Sequence, residues 1–220
     1  LLALTAVGAV SWRFWPNQEL SQTPSLVFEQ SLDQPAEEKP VEEKKSEEKV
    51  IDNKEALKAA AAGIISRPIM VSAPLLAADR KRTEGKIKEI SDLIRSDYDM
   101  IYAWYDLGAY RRVIGDFDGA AEAWTFGTLI RPKDFISYHN LGDLYGFYVK
   151  DYPKSEENYL KSIQNNPVNV QAYLDLAIIY ESVYKEKAGQ VENILLRGLQ
   201  ANPGNAGLQD ALRTYLNNNP

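Results

Sequence analysis

An aromatic residue followed three positions later by Leu, and then at once by a small residue, occurs three times: Trp104-Leu107-Gly108, Tyr138-Leu141-Gly142 and Tyr173-Leu176-Ala177. The aromatics stand 34 and 35 residues apart, and the prolines closing the units, Pro132, Pro167 and Pro203, stand 35 and 36 apart. A self-similar unit of that length is one supersecondary element that cannot bury its apolar face alone, so its copies must stack. Each unit has room for two short helices and two turns.

The apolar residues support that division. Across 101–114, Ile101, Trp104, Leu107, Ala109 and Val113 fall near helical spacing; Gly115-Asp116 breaks the pattern, and Asp118 is the expected N-cap of the next helix. In that second helix Ala120, Ala121, Trp124, Leu129 and Ile130 form a stripe ended by Pro132. Gly108, Gly142 and Ala177 lack bulk where the helices of a pair must approach closely. A helical Gly costs up to ~1 kcal/mol against Ala, which close packing is expected to offset. Capping helices are expected at both ends. Asn205 starts a C-terminal one carrying Leu208, Leu212, Tyr215 and Leu216; an N-terminal one runs from Pro74 to Arg95, with Ile87, Ile90 and Ile94 on one face and Gly85 as a weak point.

The pattern resembles the tetratricopeptide repeat family, whose unit reads W-x2-L-G-x2-Y, then A-x3-F, then P. Ala120, Trp124 and Pro132 continue the first unit; Tyr145, Tyr159 and Pro167 the second; Tyr180, Leu195 and Pro203 the third. Arg111 stands where the first unit's tyrosine is expected, and Ser155 and Val191 replace the alanine of the later two. The longer pitch leaves one or two extra residues between the helices of repeats two and three. The resemblance covers residues 97–204 and implies an all-α fold, a right-handed α-solenoid of helix-turn-helix repeats with flanking capping helices. It also implies a concave groove lined by the first helix of each repeat. The groove positions are Tyr102, Tyr105, Ala109 and Arg112 in repeat one; Ile136, His139, Asp143 and Gly146 in repeat two; and Gln171, Leu174, Ile178 and Glu181 in repeat three. Family members that clamp a C-terminal carboxylate carry Lys and Asn where this chain has Tyr105/Ala109, His139/Asp143 and Leu174/Ile178. A mixed aromatic, aliphatic and acidic lining suits an extended peptide with apolar and basic residues.

Charge is unevenly placed. Residues 29–54 hold nine acids against five lysines, −4 of the chain's formal −6, so the remainder is near neutral. No basic stripe exists there to supply affinity for a nucleic acid. Pro16, Pro24, Pro35 and Pro40 interrupt any helix, and the Glu/Lys run from Glu37 to Lys49 buries nothing. The opening stretch Leu1–Val10, followed by Trp12, Arg13, Phe14 and Trp15, reads as the end of a longer apolar helix with interfacial aromatics. Fifteen residues reach only ~22 Å of a ~30 Å hydrocarbon core. A cleavable signal ending near Ala9 and a buried apolar tail are the alternatives. The expected organisation is a truncated transmembrane anchor or signal segment at 1–15 and an acidic disordered linker at 16–54. A short helix, a strap over Ile64–Val71 and the N-terminal capping helix share 55–96. Three repeats fill 97–204, and a capping helix with its tail fills 205–220.

Catalytic signatures are missing. Phosphate-binding, dinucleotide, zinc-protease and nucleophile-elbow motifs do not occur, and no cysteine and a single histidine leave little for metal or nucleophilic chemistry. Asp116-Phe117-Asp118-Gly119 lacks the further ligands of a calcium loop and reads as a turn with a cap. No catalytic residue, cofactor or metal is therefore expected. The expectation is a bacterial membrane-tethered adaptor, single-pass with its repeats outside the cytoplasm, binding a protein or peptide and no nucleic acid. An exported soluble repeat protein and an accessory subunit of an envelope enzyme or secretion assembly are the alternatives.

Overall fold

The computed structural model describes residues 43–219. Helices there run α1 (Glu43–Ile65), α2 (Ala77–Ser96), α3 (Ile101–Val113), α4 (Phe117–Ile130), α5 (Phe135–Asp143), α6 (Tyr152–Asn165), α7 (Val170–Ser182), α8 (Val191–Ala201) and α9 (Ala206–Asn218). The pairs α3/α4, α5/α6 and α7/α8 are the three repeats, and each packs on the next through α4/α5, α6/α7 and α8/α9. The expected all-α solenoid with flanking helices is the observed architecture.

Close approach explains the glycine of the first two signatures. A Cβ on Gly108 would lie 2.4 Å from the Trp124 ring, and one on Gly142 would lie 2.8 Å from that of Tyr159. Both rings are fully buried. Leu at position 142 therefore has nowhere to go, and Gly142→Leu is expected to cost roughly 1–3 kcal/mol through overpacking. The check is a denaturant midpoint, which should fall while wild-type helix content persists at low denaturant.

The extra residues of the later repeats are absorbed by changes of helical pitch. From Trp104 to the N-cap Asp116 is 12 positions, whereas from Tyr138 to the N-cap Asp151 is 13. Repeat two takes up the additional residue as a π-helical turn, Leu144–Val149, that continues α5, the usual outcome of a one-residue insertion into a helix. Lys150, with φ of 64°, ends it in the left-handed region. Repeat three instead inserts a 3-10 segment, Lys185–Gln190. Both departures from the alanine pattern pack well: Val191 is buried, and the buried Ser155 donates its hydroxyl to the Gly142 carbonyl at 2.8 Å.

Several expected boundaries move. Asp116, not Asp118, caps α4, accepting from the Gly119 N–H at 3.0 Å while Asp118 stays exposed. Asn205 caps α9 as its position implies. Helix α2 starts at Ala77 rather than Pro74: Ser72 and Ala73 are tied to the α3–α4 turn instead, both donating to the Ile114 carbonyl at 2.9 and 3.0 Å. It passes unbroken through Gly85, and Ile87, Ile90 and Ile94 are buried against repeat one. Helix α1 begins at Glu43, inside the stretch expected to be linker, and its Ala61 and Ile65 join the same core.

Arg111 accounts for its own departure from the repeat pattern. It is 1% exposed, and its guanidinium donates to the Pro68 carbonyl, the Arg67 carbonyl and the Asp116 carboxylate, each at 2.8 Å. Arg67 reaches Asp116 and Glu122 in turn. The planar fork thus ties the 66–76 strap to the α3–α4 turn. Burial alone would raise the Asp116 pKa, but the Gly119 N–H, Arg67 and Arg111 outweigh it and hold the carboxyl below the ordinary range.

The single-pass membrane localisation with an extracytoplasmic repeat domain is not retained. Among the described residues no helix is long and apolar enough to cross a membrane. Residues 1–15, read above as the anchor or signal, and residues 16–42 of the linker lie outside the described part.

Candidate functional site

Helices α3, α5 and α7 carry the positions that the repeat register assigns to the groove. In α3, Tyr102 is 72% exposed and lies edge-on to Tyr105 at 5.7 Å. Tyr105 is half-buried, and its hydroxyl donates to Asp134 Oδ1 at 2.6 Å. Asp134 is itself the N-cap of α5, accepting from the Ile136 and Ser137 N–H groups. Burial first, then the Asp134 carboxylate, pushes the Tyr105 phenol far above its usual pKa. This tyrosine is a structural link between repeats one and two. Ala109 packs against the cluster of Ala120, Trp124, Leu141 and Leu144. Arg112 lies over two rings, 5.8 Å from Trp124 and 5.1 Å from Tyr148.

In α5 and α7 the lining becomes polar at one point. His139 Nε2 lies 3.2 Å from Asp175 Oδ2 and 3.6 Å from Asp143 Oδ1. All three side chains are mostly buried, with 16%, 24% and 14% exposure for His139, Asp143 and Asp175. The imidazole meets Tyr159 edge-on at 5.5 Å. Tyr159 donates its hydroxyl to Asp143 Oδ1 at 2.6 Å, and Gln171 Nε2 donates to Asp175 Oδ1 at 2.8 Å. Burial on its own would lower the His139 pKa, but the carboxylates of Asp175 and Asp143 hold it above the ordinary value. Burial raises that of Asp143 against the opposing pull of His139 and Tyr159.

The other groove positions divide by accessibility. Ile136 is half-buried and Leu174 packs into the α7–α8 core; Gln171, Ile178 and Glu181 are exposed. Gly146, placed in the groove by register, is buried instead, because the π-helical turn brings it under Ile179 and Ser155.

Asp175 is the member that register reasoning misses. It lies two positions past the signature aromatic, between two expected groove residues. A signal for it exists, since the same position is Asp106 in repeat one and Asn140 in repeat two. A polar residue recurring at one register of an otherwise apolar unit marks a face that is not core.

No protein-family model matches the chain, and no curated protein matches it. Among solved structures it is similar to the crystal structure of MamA, with a TM-score of 0.50 and 18% identity over 66% of this chain and 86% of that one. At that identity the likeness is one of fold, and it supports a helical repeat architecture of the tetratricopeptide type.

Proposed function

We propose that the chain is a protein-interaction scaffold whose groove along α3, α5 and α7 receives an extended segment of a partner protein. Residues 97–204 are the binding unit, and 55–96 and 205–220 cap its two ends. The observation that carries the reading is the row of accessible side chains along the first helices of successive repeats. Tyr102 and Ile178 are 72% and 44% exposed, and the polar Gln171 and Glu181 are exposed beside Ile178 on α7. Large apolar side chains held by rigid helices are the kind of anchor that dominates protein interfaces. No catalytic role is assigned to any residue.

The test uses peptides selected on the wild-type protein from a random display library, with affinities then remeasured on variants. Tyr102→Ala combined with Ile178→Ala should weaken the selected peptides at least tenfold, about 1.4 kcal/mol. Because both side chains are exposed, thermal midpoints should stay at the wild-type value. Glu157→Ala combined with Lys161→Ala, exposed on α6, should leave affinity unchanged. The opposite pattern would put recognition on the second helices and overturn the groove assignment.

A further inference from the structure

We propose that His139, Asp143 and Asp175 form a binding site for one divalent first-row transition-metal ion, with Zn2+ the best-suited occupant. The cation would be held between α5 and α7 whether or not a peptide occupies the proposed groove.

Geometry is the first argument. Two ligand atoms bound to zinc at about 2.1 Å in a tetrahedral arrangement are separated by about 3.4 Å. The imidazole Nε2 stands 3.2 and 3.6 Å from its two carboxylate oxygens, and the three donor atoms all lie within 4.8 Å of one another. His139 and Asp143 come from α5 and Asp175 from α7, and α6, which packs on both helices, fixes their relative placement.

Charge is the second. Among the described residues neither Asp143 nor Asp175 makes a salt bridge to Lys or Arg; His139 is the partner of both. A protonated imidazole would set one contacting positive charge against two mostly buried carboxylates, with Arg112 acting on Asp143 only at longer range. It would also hydrogen-bond only Asp175, since 3.6 Å to Asp143 is too long. Its other nitrogen, Nδ1, is buried with no partner, a position more costly on a charged ring than on a neutral one. A dication with a neutral imidazole balances the two carboxylates.

The supporting hydrogen bonds are the third. Tyr159 and Gln171 orient the two carboxylates as neutral donors, the arrangement that fixes ligands around metal centres. One imidazole and two carboxylates are all ligand types that zinc accepts, and a water would complete four-coordination. Calcium and magnesium want six or more oxygen ligands, and copper(I) wants sulfur.

The composition makes the test clean. The chain has one histidine and no cysteine, so no other imidazole or thiolate competes. Full-length protein without a polyhistidine tag is titrated with ZnCl2 by calorimetry, while proton NMR follows the lone imidazole. One equivalent should bind, the imidazole resonances should move saturably, and CaCl2 should leave them in place. Asp175→Asn and His139→Gln should each weaken binding at least tenfold. Thermal midpoints recorded without metal show whether either variant is folded. Should one be destabilised, the wild-type imidazole shift still decides. An imidazole unmoved by stoichiometric Zn2+, or folded variants that bind as wild type does, would overturn the proposal.

Discussion

Replacing Arg111 by Leu should destabilise the protein by about 3–5 kcal/mol, the range seen when one partner of a buried ion pair is removed. The size follows from what the guanidinium leaves behind. Asp116 loses one of two cationic partners, and the Pro68 and Arg67 carbonyls lose the donor that holds the strap. Lysine should rescue little, because a single ammonium cannot reproduce a fork aimed at three acceptors. Asp116→Asn should cost less, since an amide oxygen still accepts from the Gly119 N–H that caps α4. Denaturant midpoints measure the loss, and amide hydrogen exchange locates it. Protection should fall first at Ser72 and Ala73, whose N–H groups bond to Ile114. The effect also carries a pH signature. The Asp116 carboxyl is held below its ordinary value, so its stabilisation is complete above the unfolded pKa of about 3.9 and is lost as pH falls through the folded one. The gap between wild type and Arg111→Leu should therefore narrow below about pH 4. A constant gap would mean that the loss comes from packing alone.

Arg111 also marks where sequence reading stops. As a departure from the repeat pattern it was visible, but the two carbonyls it binds, those of Pro68 and Arg67, lie more than forty positions away; only Asp116, five positions on, is local. The aromatic and small residues were legible because their spacing is fixed by helix geometry: Gly108 meets Trp124 and Gly142 meets Tyr159 in the same relation. The start of α1 was not legible. Glu and Lys are good helix formers and equally the residues of a solvated linker, so the run before Asn53 fits both. Asp118 was the expected cap and Asp116 is the actual one; either side chain can close such a turn, and Asp116 follows directly on Gly115, whose φ is 80°. At the candidate site, register found His139 and Asp143 but not Asp175. Its approach to His139 depends on how α6 sets α7 relative to α5, an arrangement that no single helix encodes.

Trp124→Ala should also cost about 3–5 kcal/mol, as expected for emptying a buried indole site. Trp124 is 1% exposed and packs with Ala120, Leu141 and Leu144, where repeat one meets repeat two. Its N–H donates to the Tyr105 carbonyl at 3.2 Å, so the cavity would open beneath a residue of α3. Leu129→Ala on the same helix, at 58% exposure, is the control and should stay within about 0.5 kcal/mol of wild type. The sharper test couples Trp124 to Gly108. In the wild-type background Gly108→Ala should destabilise, because its Cβ would lie 2.4 Å from a buried ring. With Trp124→Ala already present the obstruction is gone, and what remains is the helix propensity of Ala over Gly, worth up to about 1 kcal/mol. The same substitution should then be neutral or stabilising. A reversal of sign between the two backgrounds, read as a coupling energy from four denaturant midpoints, would establish that glycine in this signature answers to the indole beside it. Equal effects in both backgrounds would mean that the backbone, and not Trp124, sets the demand for glycine.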